Sequence, residues 1–200
     1  CGGNVVYAAA GAALWTGGLA SSYAPDVRLA DVAALAPATD LPGLVAGIKD
    51  TPVGRIMSTF ILSSYSAAYP DVEFEAYVPW GKRLLARDIA GRCLAGNEAL
   101  FSVAEALAAG GSFFGAVPTS GPLGKHFAEN IPKSPSPQPL LIAQGLADDL
   151  VLPDIQHRFV RERCVTGKEL DYRTYPGRDH LSVLVPDSPL TKDLVRWTRE

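Results

Sequence analysis

The run Leu140-Leu141-Ile142-Ala143-Gln144-Gly145, followed by Leu146-Ala147-Asp148-Asp149, constrains this chain more than any other stretch. A short apolar segment that ends in Gly and then Asp reads as a strand buried on both faces. That is the condition of a parallel sheet covered by helices. Such sheets place their chemistry beyond the carboxyl ends of the strands, where Asp148 falls. Further along, Glu169 to Tyr175 alternates Leu170, Tyr172 and Thr174 against Asp171, Arg173 and Tyr175, the pattern of a half-exposed strand. A Pro176-Gly177 turn then presents Arg178-Asp179-His180. The chain thus delivers a carboxylate and a histidine from the ends of two successive strands.

The rest of the chain fits an α/β domain. Two hundred residues, 48% apolar and 20% charged, suffice for one domain with a sizeable core. Val5-Val6-Tyr7 reads as a short strand turning directly into a helix from Ala8 to Leu19, and Leu29 to Ala36 as the next strand. From Leu41 to about Pro139 the pattern changes to helical segments, at Leu44–Ile48, Ile56–Tyr69, Leu84–Leu94 and Glu98–Ala109, with an exit through the Pro-rich run 132–139. Pro153 opens a further helix with Ile155, Phe159 and Val160 on one face and Gly167 as its stop. The last helix is capped by Asp187 or Ser188, with Pro189 in its first turn and Leu190, Leu194 and Val195 as its buried stripe. The expected division is a core of 1–40 and 139–200 interrupted by a helical insertion at 41–138.

Composition also excludes function classes. A net charge of −3 with no basic cluster gives no footprint for nucleic acid. The first twenty residues lack the unbroken apolar run of a bilayer span, so stable membrane insertion is not expected. Cys1 could be a lipidated terminus, although a strand pattern beginning so soon after it speaks against that. Cys93 and Cys164 are a candidate bridge, while the odd count of three cysteines and the lack of a CxxC pair argue against a zinc site. His157 reads as a solvated helix residue, and His126 has no acidic pattern around it, so no metal and no cofactor are expected. Gly121-Pro122-Leu123-Gly124-Lys125 lacks the spacing of a phosphate loop.

Asp148 has two readings: it orients and charge-stabilises His180, or it caps the helix that follows. Asp149 is the alternative carboxylate, and Asp148 is preferred because it follows the strand end directly. Ser112, in Gly110-Gly111-Ser112-Phe113-Phe114-Gly115, is one residue out of register for a nucleophile turn, and Gly110-Gly111 read better as a helix stop. Phe60, Tyr65, Tyr69, Phe74 and Tyr77 either line an acyl pocket or form the insertion's own core. The strand-to-helix turn near the amino terminus is where a Gly-x-Ser-x-Gly elbow would stand. The residues there are Tyr7-Ala8-Ala9-Ala10-Gly11, with no serine.

Acid first and histidine last is the chain order of α/β-hydrolases. With these residues in view the chain resembles the secretory lipase family of that fold, triacylglycerol lipases and related esterases with a helical cap. The likeness runs through Gly11-Ala12-Ala13-Leu14-Trp15, the stretch from Ser22 to Leu29, Ala36-Pro37-Ala38-Thr39-Asp40-Leu41, Gln144 to Asp148, and Tyr175 to His180. It implies an α/β fold, the C-terminal half of an α/β-hydrolase with a parallel sheet and a helical cap. It further implies Asp148 and His180 as acid and base, a lipid or small ester as substrate, and a secreted location. Against the family pattern, the first half of the sheet, with an oxyanion donor, is missing, and Tyr7 or Ala8 stands where the serine belongs. The expectation is therefore an ester-hydrolase scaffold lacking its nucleophile. The rival is an inactive remnant that binds lipid or a partner, or self-associates through an exposed sheet edge. A truncated gene product with no function of its own is the third reading.

Overall fold

The structure is a computed structural model that describes residues 5–94, 96–134, 136–165 and 170–199, with the side chains of 5–10 excepted. Its described residues divide into two compact units, one comprising 5–40 and 131–199, the other comprising Leu41–Asn130.

The first unit is built on three parallel strands in the order β1-β2-β3: β1 (Val32–Leu35), β2 (Leu140–Gly145) and β3 (Asp171–Tyr175). Val32 lies opposite Leu140 and Leu35 opposite Ala143, while Leu141 faces Asp171 and Gly145 faces Tyr175. Every residue of β2 is buried, as its unbroken apolar character requires of a central parallel strand. Alternate side chains enter two cores. Leu140 and Ile142 meet Leu14 of α1 (Val5–Tyr23) and Phe159 and Val160 of α8 (Pro153–Val165). Leu141 and Ala143 meet Tyr175, Val183 and Leu190, the last from α9 (Pro189–Trp197). Helices thus cover both faces of the sheet, an α/β three-layer arrangement.

Several sequence expectations change here. Val5-Val6-Tyr7 is the first turn of α1 and not a strand. Three apolar residues carry no period of their own, and the Ala-rich stretch behind them propagates a helix backward. The expected strand-to-helix elbow is therefore one continuous helix. β1 is shorter than Leu29–Ala36 because Ala36, at φ 47°, leaves extended backbone for the left-handed region. In α9 the buried stripe is Leu190 with partly buried Leu194 and Trp197, and Val195 is exposed. Ser188 is its cap, accepting from the Leu190 N–H at 3.4 Å. Cys164 is a free, exposed thiol, so it is not bridged to Cys93. The proposed stop at Gly167 lies outside the described residues.

The second unit is helical: α2 (Leu41–Ile48), α3 (Pro52–Ala68), α4 (Phe74–Tyr77), a 3₁₀ turn at Trp80–Lys82, α5 (Arg83–Gly91), α6 (Gly96–Ala108) and α7 (Gly121–Glu129). Thr51 starts α3, its hydroxyl accepting from the Gly54 N–H at 3.0 Å. The core gathers Leu62, Phe74, Tyr77, Ile89, Phe113, Leu123 and Phe127, with Phe60, Tyr65 and Tyr69 packed against it. The five aromatics in question thus belong to this unit's own core. Gly110 and Gly111 end α6, and Gly121 to Lys125 open α7, which leaves neither segment as a catalytic or phosphate turn. Among the described residues no helix is long and apolar enough to cross a membrane.

Candidate active site

Beyond the carboxyl ends of β2 and β3 the chain brings Asp148 and His180 together. His180 Nδ1 lies 2.7 Å from Asp148 Oδ2, with the histidine 7% and the aspartate 3% exposed. An ionised carboxylate there holds the ring proton on Nδ1 and leaves Nε2 as the basic nitrogen.

Each partner is fixed by its own backbone. Asp148 Oδ1 accepts from the N–H groups of Leu150 at 3.0 Å and Val151 at 2.7 Å. Oδ2 accepts from Gln144 Nε2 at 3.1 Å as well as from the imidazole. The carboxylate therefore accepts both from the turn before α8 and from the histidine ring. Asp149, one residue on, is exposed.

His180 is delivered by two turns. Tyr175 C=O accepts from Arg178 N–H at 3.3 Å across Pro176 and Gly177, whose φ of 70° matches the glycine position of a type II turn. Asp179 and Ser182 then bond reciprocally: Asp179 N–H donates to Ser182 Oγ at 2.8 Å, and Ser182 N–H donates to Asp179 Oδ1 at 2.7 Å. The Ser182 N–H and hydroxyl, with the Leu181 N–H, hold the Asp179 carboxyl below the usual carboxylate range. Val183, fully buried, anchors the loop in the core.

The two strand ends meet at Gly145. A Cβ on it would stand 2.3 Å from Arg178 O and 3.0 Å from Asp179 O, so only glycine lets the histidine loop approach β2 this closely. Leu146 N–H to Tyr175 O at 3.0 Å and Ala147 N–H to Arg178 O at 2.9 Å join the two segments. Gln144, wholly buried, also donates to Val151 O at 3.0 Å and is the supporting residue that the sequence reading missed. Its signal was a single amide within an otherwise apolar strand.

The other histidines have different surroundings from those expected. His157 is half-buried, its ring edge-on to Tyr172 with centroids 5.5 Å apart. His126, expected to be remote from acids, lies between two of them. Nδ1 is 2.8 Å from Glu129 Oε2, Nε2 is 2.9 Å from Asp71 Oδ1, and Tyr69 stacks on the ring at 3.8 Å. Asp71 first and Glu129 second raise its pKa above the ordinary histidine value, against the opposing effect of burial. Both ring nitrogens are engaged, which leaves no lone pair for a metal. Tyr7 and Ala8 lie in α1, whose first serine is Ser21.

A parallel sheet clad by helices, with an acid and a histidine at successive strand ends, defines the α/β-hydrolase fold. The secretory lipase family matches residues 7–199, and the chain belongs to that family. Two solved structures of Candida antarctica lipase A are similar to it, each with 20% identity and a TM-score of 0.69. One match covers 86% of this chain and 42% of that one; the other, to the enzyme in its closed state, covers 94% and 46%. The chain thus spans less than half the length of these neighbours. Among curated proteins none matches it.

Proposed function

We propose that Asp148 and His180 are the acid and base of a carboxylic-ester hydrolase of lipase or esterase type. The observation that carries this reading is the 2.7 Å Nδ1–Oδ2 contact, buried and braced from both strand ends. In the reaction, Nε2 takes the proton of an attacking serine hydroxyl, which the segment Tyr7 to Gly11 does not supply, as its oxygen bonds to the ester carbonyl carbon, while Asp148 neutralises the imidazolium. The proton passes to the departing alkoxide as the C–O bond breaks, and water repeats the sequence to release the acid. This chemistry requires no metal or cofactor. The substrate is a lipid or a small ester, and the family's description favours a secreted protein.

A second reading rests on the segment Tyr7 to Gly11, which offers no serine and continues α1 as a helix. In that reading the chain binds ester lipid without cleaving it. A phenol of pKa about 10 does not replace an activated serine. A fluorophosphonate probe together with p-nitrophenyl ester turnover separates the two. Labelling and turnover that both vanish in His180→Gln support the hydrolase; a folded chain that does neither, yet binds fatty acid, supports the binding protein.

A further inference from the structure

Gln144 is the one amide in a strand otherwise apolar and buried on both faces, and it is wholly inaccessible. A methionine would fill much the same space with no polar atom to satisfy. The amide instead has three acceptors around its nitrogen, Gly145 O and Asp148 Oδ2 at 3.1 Å and Val151 O at 3.0 Å. Acceptors alone on that side fix the nitrogen toward Asp148. Its oxygen, Oε1, is left buried and, among the described residues, without a partner. A second amide lies on the same flank. Leu140 and Ile142 pack on Phe159 and Val160 of α8, which runs back along the sheet so that β3 can pair parallel to β2. Gln144 is the next residue on that side of β2, and Gln156, about one helical turn before Val160, is the next on that side of α8. Gln156 is also wholly buried. Its Oε1 accepts from the Thr39 hydroxyl at 2.9 Å, and its Nε2 has no partner among the described residues. The two leftover atoms are complementary, one acceptor and one donor.

We propose that Gln144 and Gln156 are positioning residues of the acid–base pair, two amides acting as one unit to set the direction in which Asp148 accepts from His180. Asp148 Oδ1 is pinned to the turn before α8 by the Leu150 and Val151 N–H groups, so the donor on Oδ2 decides how the carboxylate is rotated about that anchor. Gln144 supplies that donor from inside the core, shielded from bulk solvent, where a hydrogen bond is electrostatically stronger. Gln156, tied to Thr39 just beyond β1, holds the far end of the Gln144 amide. The support of Asp148 thus reaches back to the end of β1 as well as that of β2. The inference rests on the acid–base reading of Asp148 and His180, and it can be measured without turnover.

The test is nuclear magnetic resonance of the histidine ring protons in the full chain, the His180 Nδ1–H being assigned by its loss in His180→Gln. That proton exchanges with solvent when the Asp148–His180 contact opens. Gln144→Met keeps the length of the side chain and removes the donor, so exchange should quicken about tenfold or more, as for a hydrogen bond to a charged group. Gln156→Met and Thr39→Val should each quicken it about threefold, and Gln144→Met/Gln156→Met should be no faster than Gln144→Met alone. Ile142→Val, on the same side of β2 and equally buried, is the packing control: its urea midpoint should fall while its exchange matches the parent. Unchanged exchange in Gln144→Met, exchange that follows the urea midpoint in every variant including Ile142→Val, or additive effects of the two glutamine changes overturns the proposal. A parent whose neutral ring carries its proton on Nε2 sinks the acid–base reading and this inference with it. The expected exchange pattern in a chain without esterase turnover sinks the hydrolase reading alone.

Discussion

Gly145→Ala is the sharpest probe of how the two strand ends are joined. The added Cβ would sit 2.3 Å from Arg178 O, about 1 Å inside normal contact, and both sides are backbone. Neither side yields without loosening the bonds that join them, Leu146 N–H to Tyr175 O and Ala147 N–H to Arg178 O. Overpacking of about 1–3 kcal/mol and the weakening of two hydrogen bonds at about 1 kcal/mol each give a loss of about 3–5 kcal/mol. For a chain of this length that lowers the thermal midpoint by roughly 6–20 °C. Gly177→Ala is the control: its Cβ would meet nothing within 4 Å, so only the left-handed φ of 70° is strained, at about 1–2 kcal/mol. Thermal unfolding followed by far-UV circular dichroism compares the two. A Gly145→Ala midpoint equal to or above that of Gly177→Ala would refute the close-approach argument.

Other outcomes follow from single contacts. Ser188→Ala removes the α9 cap, and because that bond is long at 3.4 Å the loss in urea unfolding should be about 0.5–1 kcal/mol, at the low end for caps. In the helical unit, the raised pKa of His126 contributes stability that is fully present below about pH 6.5 and lost as pH rises through the higher folded value. Asp71, held below its ordinary range chiefly by its bond to His126, contributes stability present above about pH 4 and lost as pH falls through its depressed value. The urea midpoint should therefore decline on the alkaline side, and His126→Gln should remove that limb; a flat profile in the parent would refute the clamp.

The sheet was legible where one physical condition left an unmistakable trace. β2 has no charge and no alternation because both its faces are covered, and Asp148 and His180 could be placed at strand ends from turn chemistry alone. What escaped was either too short to carry a period or joined only by the fold. Val5 to Tyr7 could begin a strand or a helix, and the Ala-rich sequence behind it decides for helix. Asp71 meets His126 from a distant turn that no local pattern reveals, although Glu129, three residues along the same helix, was visible. The exposure of Leu100, Phe101, Val103 and Leu107 on α6 was hidden for a different reason: periodicity reports that a helix has an apolar side without saying which way it points.

The partners at the start of the β1–β2 ladder, Val32 and Leu140, are separated by more than a hundred residues, nearly all in the other unit. Closing so long a flexible loop is entropically costly and slow. Yet 41–130 is continuous, with its own core, and its first and last helices, α2 and α7, pack against each other. If that unit folds first, it converts the long loop into a body whose ends are already near each other, and the parallel pairing becomes a local event. During synthesis β1 must then wait for β2 to emerge, its polar edge unpaired. On that order the helical unit forms first, and the Asp148–His180 contact forms only after β2 and β3 have paired.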